Sequence, residues 1–190
     1  MSKTMNKLKS TLIIGVILAT ALPLMAQRKR VSPHETINSA IDGNKVTIVY
    51  GRPYSKDPKT GEIRKIWGGL VPYGKVWRTG ADEATLLTTE QPIVVGGTTI
   101  PAGTYSLFTL PAADGTAKLI INKRTGQWGI PYKEQSEATN ELARIDLKKD
   151  TLDKTVDQFT MAIEQNPSGG GVLKMMWENT QFSVPFTVKK

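Results

Sequence analysis

The stretch IVVGGTTIPAGTYSLFTL, from Ile93 to Leu110, indicates most directly how this chain folds. Apolar and polar residues alternate along much of it, which is typical of β-strands with one buried face. Gly96-Gly97 separates two β-branched runs and suits a two-residue hairpin, because both glycines accept a positive φ. Pro101-Ala102-Gly103 suits a second tight turn. We therefore predict antiparallel strands joined by short turns.

The same period of two continues on both sides of this stretch. Upstream, Val46, Ile48 and Tyr50 share one face of a predicted strand. Further strands are predicted at Ala117–Asn122, Ala143–Lys148, Phe159–Ile163, Val172–Glu178 and Phe182–Val188. About nine to eleven short strands with regular turns predict an all-β chain, a single-domain antiparallel β-sandwich or barrel-like fold with short helices.

Other local signals refine this prediction. His34–Ile41 and Lys133–Leu142 are each predicted as one turn or a short helix, and Ser168–Gly171 as a flexible connection. Asn179-Thr180 is predicted to close the last hairpin. Pro185 predicts an edge position for the final strand, because proline has no N–H to donate to a ladder.

The first 26 residues have the features of an export signal. Three lysines precede the apolar run Thr11–Leu24, and Ala26 is a small residue at the expected cleavage point. The run is shorter than the roughly 20 residues needed to span a bilayer. We predict a cleaved signal peptide at 1–26, an N-terminal arm at 27–43 and a β-rich domain of unknown function at 44–190. The protein is then periplasmic or secreted, with no membrane span after cleavage.

Composition excludes several classes of function. The chain has no cysteine, which removes thiol catalysis, thiolate zinc sites and disulfides. Cleavage after residue 26 leaves 164 residues and lowers the formal net charge from +8 to +5. The remaining lysines and arginines are interleaved with acids, whereas nucleic-acid binding needs a clustered basic face. We therefore predict no nucleic-acid partner, and no feature of the chain indicates a cofactor.

Five motifs carry a resemblance to a known family. They are SPHETI (32–37), YGRPYS (50–55), IWGGLVPYGKVWRTGADEAT (66–85), IPAGTYSLFTLP (100–111) and QWG (127–129). Together they resemble the bacterial "domain of unknown function 2911" family over nearly the whole exported chain. The resemblance implies a bacterial envelope protein and adds no activity. The chain departs from the family pattern in a longer charged loop after Ser55 and in Asp82, where many relatives are expected to have asparagine.

Polar and aromatic side chains concentrate in the central block. Arginine presents a planar fork of donors that can hold a carboxylate or phosphate in two parallel hydrogen bonds. The predicted ligand-binding residues are Arg52, Tyr54, Trp67, Arg78, Asp82 and Glu83. The alternative is that Arg52 or Arg78 pairs with Asp82 or Glu83 and only braces the loop.

The tryptophans and the single histidine have competing interpretations. Trp77 is predicted to be a core residue, whereas Trp67 and Trp128 lie beside glycines and are the better candidates to line a cleft. A core or anchoring role remains open for both of them. His34 is the only histidine and is predicted to be a surface residue of the N-terminal region, so no metal site is predicted.

Three functions follow from these residues. We favour a non-catalytic, exported module that binds a small polar ligand or an envelope protein. The first alternative is a hydrolase of envelope glycan or peptide, with Glu83 as base or nucleophile and a second carboxyl group opposite it. The second is a structural interaction module that docks a partner by strand addition at the Pro185 strand.

Overall fold

The computed structural model describes residues 30–128 and 132–190. The predicted signal peptide at 1–26 lies outside the described residues. The described part of the chain contains nine β-strands, one α-helical turn, α1 (Glu134–Glu137), and a 3₁₀ turn at Ala138–Asn140. The strands are β1 His34–Ile41, β2 Asn44–Gly51, β3 Thr85–Thr89, β4 Ile93–Val95, β5 Thr98–Ile100, β6 Gly103–Pro111, β7 Ala117–Asn122, β8 Glu141–Gln165 and β9 Gly171–Val188. None of the described helices is long and apolar enough to cross a membrane.

All nine strands pair antiparallel in the order β1-β2-β3-β6-β7-β8-β9-β4-β5. The all-β prediction is therefore confirmed, and the sheet is not closed into a barrel. Strands β8 and β9 contain 25 and 18 residues. They let the sheet fold over on itself, so that side chains of β2, β3 and β7 meet those of β4, β8 and β9 in one core.

Several local predictions are confirmed. Strand β2 alternates buried and more exposed side chains, with Ile48 and Tyr50 almost completely buried. The hairpin between β4 and β5 turns at Gly96 and Gly97, whose φ values are 54° and 81°. Such positive φ angles match the right-handed twist of the flanking strands. Strand β7 has the predicted bounds Ala117–Asn122.

The helix predicted at His34–Ile41 is wrong, because this segment is strand β1. It pairs with β2 along its whole length and turns at Asp42 and Gly43, with φ values of 48° and 81°. Asp-Gly is itself a hairpin signal. The segment predicted as an N-terminal arm therefore contains an edge strand of the sheet. Of the helix predicted at Lys133–Leu142, only α1 and the 3₁₀ turn form before β8 begins.

The hairpin predicted at Asn179-Thr180 is also wrong, because both residues lie inside β9. Glu178 has a φ of 52°, and the pairing of β8 with β9 shifts register there. Because the irregularity takes up the shift in register, the chain continues through Glu178 without a turn. The two long strands β8 and β9 therefore form where four short strands were predicted. The β8–β9 hairpin instead turns in the glycine-rich segment that precedes Gly171.

The edge position predicted for Pro185 is wrong as well. Strand β9 lies between β8 and β4. Its pairing with β8 ends at Ser183, and its pairing with β4 begins at Phe186. Pro185 therefore falls outside both sets of paired residues, where the missing N–H is tolerated.

Candidate functional site

The loop before β3 holds Arg78 in a fixed place. Trp77 and Thr109 of β6 exchange two backbone hydrogen bonds of 2.8 Å. The Thr79 hydroxyl lies 2.7 Å from the Thr109 hydroxyl, and the Thr85 hydroxyl donates to the Thr79 carbonyl at 2.7 Å. Both Thr79 and Thr85 are fully buried. The residues on either side of Arg78 are thus pinned to β6 and to the start of β3.

The YGRPYS and WRTGADEAT motifs meet at Gly51. The Ala81 amide donates to the Gly51 carbonyl at 3.2 Å. A Cβ atom on Gly51 would lie 2.3 Å from the Ala81 carbonyl oxygen, a distance that no side chain tolerates. Glycine is therefore required at this position for the two motifs to approach each other.

An open cleft of about 320 Å³ lies between these two motifs. Its size is within the range of small-molecule binding sites. We call it the Arg78 cleft, and it is lined by Val31, Ser32, Pro53, Tyr54, Pro58, Arg64, Leu70, Trp77, Arg78, Gly80, Ala81, Asp82 and Trp177.

Three residues that line the Arg78 cleft carry a buried N–H group without a hydrogen-bond partner among the described residues. These groups are Nε of Arg64, Nε of Arg78 and Nε1 of Trp177. Arg64 also donates from Nη2 to the Tyr54 carbonyl, and Arg78 donates from Nη1 to the Trp128 carbonyl at 3.2 Å. A buried donor without a partner is destabilising. Trp67, outside the cleft, also has a buried Nε1 group without a partner among the described residues, and Trp177 is 0% exposed, so these groups alone do not mark a binding site.

Arg78 and Asp82 line the same cleft but do not form an ion pair with each other. Burial lowers the pKa of Arg78, although the charges of Asp82 and Glu83 oppose this effect. Asp82 has a φ of 65°, a conformation that aspartate tolerates better than most residues. Its Oδ2 atom lies 3.2 Å from Nε2 of His34, and its Oδ1 atom has no hydrogen-bond partner among the described residues.

Glu83 turns away from the Arg78 cleft. Its Oε1 atom accepts a hydrogen bond from Arg30, and its Oε2 atom lies 3.6 Å from Nε2 of His34. Burial tends to raise the pKa of Glu83, but its own backbone N–H and the charges of Arg30 and His34 outweigh burial and lower it. Glu83 therefore holds the N-terminal segment against the loop.

Aromatic rings form the inner wall of the cleft. The Trp77 and Trp177 rings are stacked, with centroids 5.8 Å apart. Trp67 contacts both of them edge to face. However, Trp67 lines a separate pocket of about 130 Å³, together with Tyr73 and Lys149. Trp77 packs against the core, as predicted, and also lines the cleft.

Residues 32–186 match the family described as "Protein of unknown function (DUF2911)". The chain belongs to this family. The resemblance seen in the five sequence motifs is therefore confirmed. No curated protein and no solved structure matches the chain.

The structure brings together three of the six predicted site residues of this DUF2911 member. Tyr54, Arg78 and Asp82 line the Arg78 cleft, whereas the other three predicted residues do not. Trp67 lies in the neighbouring pocket and Glu83 pairs with Arg30. The last of the three, Arg52, has a different set of partners.

Arg52 braces the sheet. Its Nη1 atom forms an ion pair of 3.0 Å with Glu35 of β1. It also donates from Nη2 to the Thr160 hydroxyl at 2.8 Å and from Nε to the Phe159 carbonyl at 3.2 Å. All three nitrogen atoms of this guanidinium group are therefore bonded to strands β1 and β8.

Sequence reasoning missed Arg64 and Trp177 as lining residues. Arg64 follows a charged segment that shows no periodicity, and Trp177 belongs to an alternating strand pattern that indicates only burial. His34, which was predicted to be a surface residue, is part-buried: its side chain is 21% exposed and lies against Asp82. Across residues 30–128 and 132–190, no three His, Asp or Glu side chains are grouped as they would be to hold a metal ion.

Proposed function

We propose that this chain is an exported protein that binds a small anionic ligand in the Arg78 cleft. The observation that carries the proposal is Arg78, whose part-buried guanidinium group belongs to a residue lining an open cleft and has no ion pair among the described residues. N–H groups donate to the acceptor oxygens of a carboxylate or phosphate, and a guanidinium group also supplies charge. A bound anion would provide the counter-ion that Arg78 lacks among the described residues.

The contrast with Arg52 supports a binding role for Arg78. Arg52 uses all three of its nitrogen atoms inside the protein, and one of them pairs with a carboxylate. Arg78 has one hydrogen bond to a carbonyl and lies over the Trp128 ring at 6.0 Å. A partly buried cation without a counter-ion is unfavourable, and an anionic ligand would relieve this penalty.

The hydrolase alternative has less support. Hydrolysis of a glycoside requires two carboxyl groups, about 5–5.5 Å apart in retaining enzymes and about 6.5–9.5 Å apart in inverting ones. Asp82 is the one carboxylate among the described residues that line the cleft, and Glu83 is engaged elsewhere. We therefore propose binding without catalysis.

Export is proposed from the signal features of residues 1–26. The test is fractionation of cells that express the full chain, followed by N-terminal sequencing of the purified protein. We expect the protein outside the cytoplasm, beginning at Gln27. A cytoplasmic protein that still begins at Met1 would contradict export.

Ligand binding is tested by isothermal titration of the purified protein with acetate and with inorganic phosphate. A charged hydrogen bond contributes about 1.5–3 kcal/mol, so we expect Arg78→Gln to weaken the binding of whichever anion binds by about 10–100-fold. Lys118→Gln is the matched control, because it removes a positive charge that pairs with Asp146 outside the cleft. An equal effect of the two substitutions, or the absence of binding by either anion, would contradict the proposal.

A further inference from the structure

We infer that the Arg78 cleft binds a free α-amino acid with an apolar side chain, whose carboxylate contacts Arg78 and whose ammonium group contacts Asp82. This inference rests on the proposed function and specifies the class of ligand. An α-amino acid carries both charges within a few bonds, so one small molecule can satisfy both side chains.

The first observation is a pair of opposite charges that line one cleft without contacting each other. Burial lowers the pKa of Arg78 and the charge of Asp82 opposes this effect, yet the two side chains form no ion pair within 4.0 Å. A protein that needed these charges only for stability would pair them, as it pairs Arg52 with Glu35. Since neither side chain neutralises the other in an ion pair, both charges remain for a bridging zwitterion.

The second observation is the free oxygen of Asp82. His34 occupies only Oδ2, so Oδ1 is available to accept a hydrogen bond from an ammonium group. Two carboxylates adjoin His34, but only Asp82 lines the cleft. This carboxylate weakens the binding of a purely anionic ligand and strengthens the binding of a zwitterion.

The third observation is the apolar surface around the charges. Tyr54 and Leu70 line the cleft with 40% and 45% of their surface exposed, and Trp77 contributes an aromatic wall. Small-molecule sites combine such apolar walls with a few polar groups that set orientation. An apolar side chain on the amino acid would cover these residues while the charged groups contact Arg78 and Asp82.

The test compares leucine with 4-methylpentanoate, which is leucine without its amino group. Isothermal titration of the wild-type protein should show leucine binding at least about tenfold more tightly, because the ammonium–Asp82 contact is a charged hydrogen bond. Asp82→Asn should abolish this preference and leave the affinity for 4-methylpentanoate equal or higher. Asparagine preserves the shape of the side chain and accepts a positive φ, so the fold should be retained.

Glu83→Gln is the matched control, because Glu83 is the adjacent carboxylate and does not line the cleft. It should keep the preference for leucine. Equal binding of leucine and 4-methylpentanoate to the wild-type protein would overturn the inference and leave anion binding intact. Equal losses of both ligands in Asp82→Asn would also overturn it, because Asp82 would then act only by holding the loop. If neither ligand binds, and acetate and phosphate also fail to bind, the proposed function itself fails.

Discussion

Replacing Arg78 with glutamine should leave the free energy of unfolding close to that of the wild type, whereas the same change at Arg52 should lower it substantially. The two arginines lie in neighbouring motifs, and the substitution removes the same atoms and charge at each position. They differ in what they contact. Arg52 is bonded through three nitrogen atoms to two strands, while Arg78 has a buried Nε without a partner among the described residues.

The expected magnitudes follow from these contacts. Arg52→Gln loses an ion pair and two further hydrogen bonds, and about 2–4 kcal/mol is expected when the pair is discounted for partial exposure. Arg78→Gln loses one bond of 3.2 Å and a ring contact at 6.0 Å, together about 1–2 kcal/mol. Relief of the buried, unpaired charge offsets most of this loss, so a net change within about 1 kcal/mol is expected.

Urea unfolding followed by tryptophan fluorescence measures both changes, provided that the slope of free energy against urea is the same in all three proteins. A loss for Arg78→Gln as large as that for Arg52→Gln would refute the reasoning. Arg78 would then be a structural brace, and the Arg78 cleft would have no spare cation for a ligand.

Three further predictions concern the fold. Tyr50→Phe should destabilise the protein by about 1–3 kcal/mol, because the buried Met161 amide donates to the Tyr50 hydroxyl at 3.0 Å and would lose its acceptor; an unchanged thermal midpoint would contradict this. Gly51→Ala should cost about 1–3 kcal/mol through the clash with the Ala81 carbonyl, and urea unfolding equal to wild type would count against that contact. Hydrogen bonds from Arg144 lower the pKa of Glu141 below 4.5. The stabilisation that ionised Glu141 gives the folded protein is therefore present above about pH 4.5 and is lost as the pH falls below it. Glu141→Gln should therefore flatten the fall of the urea midpoint between pH 5 and 3, and an identical slope would oppose this interpretation.

Sequence patterns correctly predicted those parts of the sheet that are determined by residues close together in the chain. The Gly96-Gly97 hairpin and strand β7 depend on residues within a few positions of each other. The Asp42-Gly43 turn is an equally local signal, and it favours the observed strand β1 over the predicted helix. By contrast, no short window shows that β8 and β9 continue past Glu178, because their length depends on the strands with which they pair.

The candidate site was only half predictable for the same reason. The WRTGADEAT motif places Arg78 and Asp82 four positions apart, so their proximity is local. Trp177 reaches the same cleft only because β9 crosses the folded sheet about 100 positions later. Arg52 and Arg78 look alike in sequence, and only the tertiary contacts of Arg52 with Glu35 and Thr160 distinguish a brace from an unpaired cation.

The most direct test of the central claim is the indole N–H signal of Trp177 in a ¹⁵N-labelled protein, assigned with Trp177→Phe and followed during titration with 4-methylpentanoate. We expect this signal to move progressively to saturation, because the ligand binds against the aromatic wall to which Trp177 belongs. A Trp177 signal that does not move while calorimetry shows the protein saturated would contradict the claim that the ligand binds in the Arg78 cleft.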